Sequence, residues 1–194
     1  MRNGRLVAVV GPDGAGKTTL ANTMLTSYDG PTGYIHFRPP IAGSLLAVPP
    51  PNPRLIPKVV EAVGNRPLGW GRLFYNLLRF WLGYVTSIRP RLKEGMLIVA
   101  DRWCYGYLAQ PTALRYYGPA WLARLVVAAF PRPSLVVNLV APVGDIAARK
   151  QELSPSEIEK ELAAWQRLPV AGRLDLDATQ PPELMARRVL ETLL

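Results

Sequence analysis

An α/β fold, five parallel strands with helices on both faces, follows from three features of the 194-residue sequence. The first is the octet Gly11-Pro12-Asp13-Gly14-Ala15-Gly16-Lys17-Thr18, which matches the phosphate-binding (Walker A) pattern G-x-x-x-x-G-K-[ST] at every fixed position. The second is its setting, with a short β-branched run before it and a helical pattern after it. The third is the alternation of five short strand-like runs with helical segments, which argues for a parallel sheet covered on both sides. Together they predict one P-loop NTPase-type domain over residues 1–194.

Leu6-Val7-Ala8-Val9-Val10 is apolar throughout, as expected of a buried parallel strand. In the loop after it, backbone N–H groups must converge on phosphate oxygens. Gly11, Gly14 and Gly16 allow the backbone angles and the close approach that this needs. The helix predicted over 17–25 adds unpaired N–H groups and the positive end of its dipole. Lys17 is placed to reach the β- and γ-phosphates, and the Thr18 hydroxyl to ligate Mg²⁺. The residues expected to hold ATP are Gly11, Asp13, Gly14, Ala15, Gly16, Lys17, Thr18 and Thr19.

Tyr34-Ile35-His36-Phe37 reads as the second strand, with His36 a packed or half-buried strand histidine. Arg38, at its carboxyl end, either faces a phosphoryl acceptor or starts a surface loop. Residues 39–57 hold seven prolines and read as an irregular loop. A long helix is predicted over 69–88, with Trp70, Phe74, Leu77, Leu78, Trp81, Val85 and Ile88 as its core stripe. Arg72, Asn76, Arg79 and Gly83 share another face, suited either to an anion or to solvent.

Met96-Leu97-Ile98-Val99-Ala100 is the third strand, and Asp101-Arg102 lies at its carboxyl end. A carboxylate there holds a Mg²⁺-bound water in this architecture, and an arginine clamps a phosphate in a bidentate way. Tyr105, Tyr107, Tyr116 and Tyr117 suit stacking on a base or sugar but are read first as packing residues, ahead of a helix over 119–130. Residues 134–140 form the fourth strand, followed by a helical segment ending at Ala148-Arg149-Lys150. Ser154-Pro155-Ser156-Glu157 is a helix start, 173–177 the fifth strand, and an amphipathic helix from Pro182 closes the chain.

Composition narrows the function classes. Apolar residues make up 49%, enough for a sizeable core; the single Cys104 excludes an internal disulfide and a multi-cysteine metal site, and the single His36 leaves little for a zinc centre. The first apolar run is five residues long, too short for a signal peptide, and no stretch suits a membrane span. A soluble cytoplasmic protein is expected. The net charge of +9 favours polyanionic ligands, but the basic residues are dispersed, so no nucleic-acid partner is expected.

These residues resemble the thymidylate kinase family of nucleoside monophosphate kinases. The resemblance rests on Gly11 to Thr19, the strand ending in Asp101-Arg102-Trp103, Arg149-Lys150 and Asp177-Ala178, in the right order over most of the chain. Arg89-Pro90, Pro131-Arg132-Pro133 and Arg149 to Pro155 look more particularly like bacterial thymidylate kinase-like proteins. The resemblance implies transfer of the ATP γ-phosphoryl group to a nucleoside monophosphate, dTMP being the family's acceptor, with ATP and Mg²⁺ as cofactors. It implies that Lys17 and the loop amides hold the ATP phosphates, Thr18 and Asp101 serve the metal, and Arg102 binds the acceptor phosphate. Asp13 would sit near the acceptor sugar. A lid of about residues 142–156 would close over ATP. Some members carry an arginine in the phosphate loop where this chain has Gly14, so Arg149 becomes the candidate for neutralising the transferring group.

The chain departs from the family at the thymidylate-binding arginine. A gapless register back from Asp101 puts Trp81 there, with Arg79 two residues away, and Arg79 joins Asp13, Arg38 and Arg102 as a substrate-binding candidate. Two other readings stay open. One is a kinase of the same fold acting on a sugar, sugar phosphate or other metabolite, which for an alcohol would need Asp13 or Asp101 as base. The other is a nucleotide-binding switch without a small acceptor. The partners expected are a nucleotide or other small phosphorylatable substrate and, as an oligomer, a homodimer.

Overall fold

The computed structural model describes residues 4–41, 45–46, 66–149, 154–170 and 172–193, with 66–69 described in backbone alone. Five strands, β1 (Arg5–Val10), β2 (Thr32–His36), β3 (Leu97–Asp101), β4 (Leu135–Val140) and β5 (Arg173–Asp177), form one parallel sheet in the order β2-β3-β1-β4-β5. The register pairs Val9 with Asp101 and His36 with Asp101, so the tips of three strands meet at one point. Each crossover contains at least one helix, the usual way to return a chain to a parallel neighbour.

Strand alternation divides the core in two. Leu6, Ala8 and Val10 face a cluster with Phe80, Ile88, Trp103 and Phe130, under α2 (Arg66–Gly83), α4 (Gly106–Ala109) and α5 (Ala120–Ala128). Val7 and Val9 face a second cluster with Leu20, Met24, Ile146, Ile158 and Val189, under α1 (Lys17–Ser27), α6 (Val143–Arg149), α7 (Pro155–Gln166) and α8 (Pro182–Thr192). The central strands are buried on both faces, which is why they read as unbroken apolar runs.

Most element boundaries fall within a few residues of expectation, but α2 differs in two ways. It does not stop near Ile88. A π-helical turn, Tyr84–Ile88, carries the chain into α3 (Arg89–Lys93). Pro90 lacks the N–H that would bond the fourth carbonyl back, which favours the wider turn.

The second difference inverts the helix. Of the expected core stripe, Trp70, Phe74, Leu78, Trp81 and Val85 are exposed, Leu78 at 70%, while Leu77 packs half-buried against the sheet cluster and Ile88 is buried. Leu73, Asn76, Phe80, Gly83 and Ser87 face inward instead. Gly83 is required there because a Cβ would stand 2.8 Å from the Pro39 carbonyl oxygen, where the chain leaving β2 crosses the helix. The periodicity of the stripe is real, but its apolar side is not the side that covers this sheet.

At α7 the helix start forms as expected. Glu157 reaches back to the Ser154 N–H at 2.8 Å, completing a capping box. Of the prolines in the predicted loop, Pro39 and Pro40 are described and those beyond them lie outside the described residues, as does Lys150.

Candidate active site

The loop between β1 and α1 has the backbone its glycines predict. Gly11, Gly14 and Gly16 have φ of 137°, 88° and 87°, in the region that favours glycine. At Gly11 a Cβ would also stand 2.8 Å from the Leu139 carbonyl oxygen of β4. The first turn of α1 holds no acidic side chain, so its N–H groups and dipole are not neutralised from within the helix.

Lys17 is folded back inside this loop and only 6% exposed. Its Nζ donates to the carbonyl oxygens of Gly11 at 3.1 Å and Pro12 at 2.7 Å, and lies 3.5 Å from Asp13 Oδ1. Burial, and next the Arg102 charge, lower its pKa below the ordinary lysine value against the pull of Asp13 and Asp101. Ala15 is buried beneath the loop. Thr19 is exposed on α1, with its carbonyl accepting from Thr23 Oγ1 at 3.1 Å.

Asp101 closes β3 at 2% exposure. Its Oδ2 accepts from Thr18 Oγ1 at 3.1 Å and from Tyr34 Oη at 3.2 Å, and lies 3.9 Å from His36 Nδ1. Its Oδ1 is buried with no hydrogen-bond partner. A carboxylate oxygen left free beside a threonine hydroxyl suits Mg²⁺, which keeps most of its waters and takes few protein ligands. Among the described residues no group of three or more His, Cys, Asp and Glu could form a metal cage.

Immediately after Asp101 the backbone leaves the favoured regions, with φ of 79° at Arg102 and 28° at Trp103. Such residues cost of order 1–3 kcal/mol each and persist only where their surroundings fix them. Here Arg102 N–H donates to the Val9 carbonyl at 2.9 Å, and the fully buried Trp103 donates from Nε1 to the Pro131 carbonyl at 3.0 Å. The turn sends the Arg102 guanidinium back over the phosphate loop, where it pairs with Asp13.

Strand β2 ends in another strained turn. Phe37 has φ of 60°, and Arg38 N–H donates to the His36 carbonyl at 2.7 Å, a γ-turn with positive central φ, which is rare. Phe37 N–H is held by the Asp101 carbonyl at 2.9 Å. Arg38 is thereby directed toward α2. Burial lowers its pKa, and the Arg79 and Arg72 charges add to this while Tyr107 opposes it.

The structure therefore brings Gly11–Thr18, Asp101 and Arg102 together, and Arg38 and Arg79 together beside them. Arg149, exposed at the end of α6, leans over the loop, with Nη1 at 4.0 Å from where a Gly16 Cβ would stand. Tyr105, Tyr107 and Tyr116 are buried as packing residues and His36 is half-buried as expected, whereas Tyr117 is exposed and not a packing residue.

Two contributors carried no sequence signal of their own. Tyr34 shares the face of Asp101 only through the β2–β3 register. Glu161, on α7, accepts from the Asp13 N–H at 3.4 Å across 148 residues of sequence. Burial, and next the Asp13 charge, raise the Glu161 pKa above its ordinary value.

A groove of about 670 Å³ opens one strand away from the loop, at the carboxyl ends of β4 and β5. Ala141, Pro142, Asp177 and Thr179 line it. No described helix is long and apolar enough to cross a membrane.

Comparison with known proteins bears on the segment around the phosphate loop and on the fold. Residues 1–48 match the ABC transporter family model, a stretch confined to β1, the phosphate loop, α1, β2 and the start of the following segment. No curated protein matches the sequence. Among solved structures, the chain is similar to thymidylate kinase from Candida albicans, with TM-score 0.62 and 16% identity, over 98% of this chain and 91% of that one. The chain thus has the fold of a P-loop kinase, five parallel strands between helical layers, and resembles thymidylate kinase along nearly its whole length.

Proposed function

We propose that the chain is an ATP-dependent kinase that transfers the γ-phosphoryl group to the phosphate of a nucleoside monophosphate, with dTMP as the acceptor that the resemblance favours. The observation that carries this reading is the convergence of Lys17, Thr18, Asp101 and Arg102 on one loop. Two polyanions must meet for the reaction, and alignment and charge neutralisation supply most of the catalysis. A phosphate acceptor is already an anionic nucleophile at neutral pH, so no base is needed.

On this reading the loop amides and Lys17 hold the ATP phosphates. Lys17 exchanges its bonds to the Gly11 and Pro12 carbonyls for phosphate oxygens. Thr18 and Asp101 would hold Mg²⁺, which when bound offsets phosphate charge. Arg102 exchanges Asp13 for the acceptor phosphate, leaving Asp13 to the acceptor sugar. Arg149 covers the loop as part of a lid of about residues 142–156 and neutralises the transferring group. The groove between β4 and β5 takes the ATP base.

An alcohol acceptor fits less well. Asp13 is already paired with Arg102 and Lys17, and Asp101 Oδ2 with two hydroxyls, so neither is a ready base. As an oligomer the reading is a homodimer through the outward face of α2. Trp70, Phe74, Tyr75, Leu78, Trp81, Leu82 and Val85 are all more than two-fifths exposed on that face. A standard interface takes ~800 Å² from each partner and is rich in aromatic side chains, as this face is. Light scattering at micromolar concentration checks this, a monomer being the refuting result.

Coupled ADP release over dTMP, other nucleoside monophosphates and sugars tests the activity. Acceptor-dependent ADP formation with a monophosphate supports it. Hydrolysis of ATP that no acceptor stimulates would overturn it.

A further inference from the structure

We propose that the acceptor carries a second phosphate, at the end remote from the one that is phosphorylated, held by Arg38, Arg72 and Arg79. The proposal rests on the kinase reading above and, within it, replaces dTMP by an acceptor with a phosphate at each end. Arg72, Asn76 and Arg79 lie on one face of α2, at spacings of four and three residues. Asn76, at the centre of that face, is 1% exposed, Arg79 is half-buried beside it, and Arg72 stands exposed at its rim. Asn76 Nδ2 donates to Tyr107 Oη at 2.6 Å, and its Oδ1 has no partner.

Arg38 is brought to the same face by two independent features. The γ-turn at Phe37 redirects the chain, and Pro39 then crosses α2 at Gly83, one turn beyond Arg79. The result is two half-buried guanidinium groups, Arg38 and Arg79, with the exposed Arg72 at the rim of the same face, and no counter-charge. Among the described residues no carboxylate pairs with Arg38, Arg72 or Arg79, although the chain's other acceptor-side arginine, Arg102, is paired with Asp13. The Nε atoms of Arg38 and Arg79 are buried without any hydrogen bond.

The sequence supplies little to neutralise them. Between 39 and 65 it holds a single acid, Glu61, against Arg54 and Lys58. Like charges drawn together under partial burial are costly unless an anion is shared among them, and guanidinium forks match phosphate oxygens bidentately. A neutral nucleobase offers single carbonyl acceptors and would leave most of these donors unmet. The cluster sits at the carboxyl end of β2, beside Asp101 and Arg102 at the tip of β3, so a single acceptor spans both.

The test is equilibrium binding by titration calorimetry with ADP present, in two matched pairs. Thymidine 3′,5′-bisphosphate is compared with thymidine 5′-monophosphate, and fructose 1,6-bisphosphate with fructose 6-phosphate, to separate a nucleotide from a sugar source of the second phosphate. We expect the bisphosphate of at least one pair to bind tenfold to a hundredfold more tightly, the range for a charge-assisted hydrogen bond. That gap should fall below threefold in Arg38→Gln and in Arg79→Gln, and be partly kept in Arg79→Lys. No gap in either pair, or a gap that survives both glutamine variants, would overturn the proposal. If the kinase reading alone is wrong, the gap persists but ATP yields no ADP with any acceptor. If this inference alone is wrong, the monophosphate is phosphorylated and the gap is absent.

Discussion

Asp101→Asn separates the site's chemistry from its architecture, because the substitution keeps shape and removes charge. In the wild type, Oδ2 accepts from Thr18 and Tyr34 while Oδ1 is buried without a partner. An asparagine can turn its carbonyl to the two hydroxyls, so both bonds survive as neutral ones, about 1 kcal/mol weaker each. Against that loss stands the removal of a nearly fully buried anion, whose desolvation penalty is several kcal/mol before its attraction to Lys17 is counted. These terms offset to within about 2 kcal/mol, which for a domain of this size moves the thermal midpoint by less than ~8 °C. Activity should behave differently. The free oxygen becomes an NH₂ donor that repels a cation, and losing one such electrostatic group costs about 2.7–4 kcal/mol of transition-state stabilisation, or 10²–10³ in turnover. Coupled ADP release at varied Mg²⁺ measures this, and the Mg²⁺ concentration for half-maximal rate should rise at least tenfold. Turnover within threefold of wild type at unchanged Mg²⁺ dependence would refute the metal assignment. A collapse of the melting transition would make Asp101 a structural residue.

Three further outcomes are expected. Lys17→Ala should abolish phosphoryl transfer with little change in melting, since the lost bonds to Gly11 and Pro12 are offset by removal of a buried charge; unimpaired turnover would remove the central assignment. Arg149→Ala should lower turnover about tenfold to a hundredfold while ATP affinity by calorimetry changes much less, and equal losses in both would misplace the lid arginine. Glu161 has its folded pKa raised, by burial first and then by Asp13, so its contribution to stability falls as pH rises from the ordinary glutamate range through the raised value. Glu161→Gln, which keeps an acceptor for the Asp13 N–H, should therefore melt higher than wild type at about pH 8, and the difference should vanish by about pH 4. A difference independent of pH would contradict that account.

How much of this was legible in the sequence depends on how local the cause is. The phosphate loop is specified within eight residues, by glycines where φ is positive and by a lysine and threonine at fixed offsets, and its backbone has the expected form. The capping box at Ser154 is equally local. Asp101 and Arg102 could be placed at a strand tip, but not the two positive φ values that fold Arg102 back onto Asp13, because those depend on Trp103 finding the Pro131 carbonyl. Tyr34 and Glu161 reach the site through strand register and helix packing, neither of which any short window of sequence contains.

The inversion of α2 shows where periodicity runs out. A stripe of apolar side chains marks a face that avoids water, but it does not say which surface removes the water. The sheet-facing side of α2 carries Asn76 and Gly83 because the chain leaving β2 passes close there and Tyr107 needs a donor. Residues 72, 76, 79 and 83 suit either an anion or solvent in the sequence because burying polar groups is costly when they stand alone, and here Asn76 is held by Tyr107. The same arrangement leaves Trp70, Phe74, Leu78 and Trp81 exposed, and leaves the half-buried Arg79 without an anion. Both deficits lie on one helix, so a second copy of the chain outside and a doubly phosphorylated acceptor inside would satisfy what the fold of a single chain leaves open.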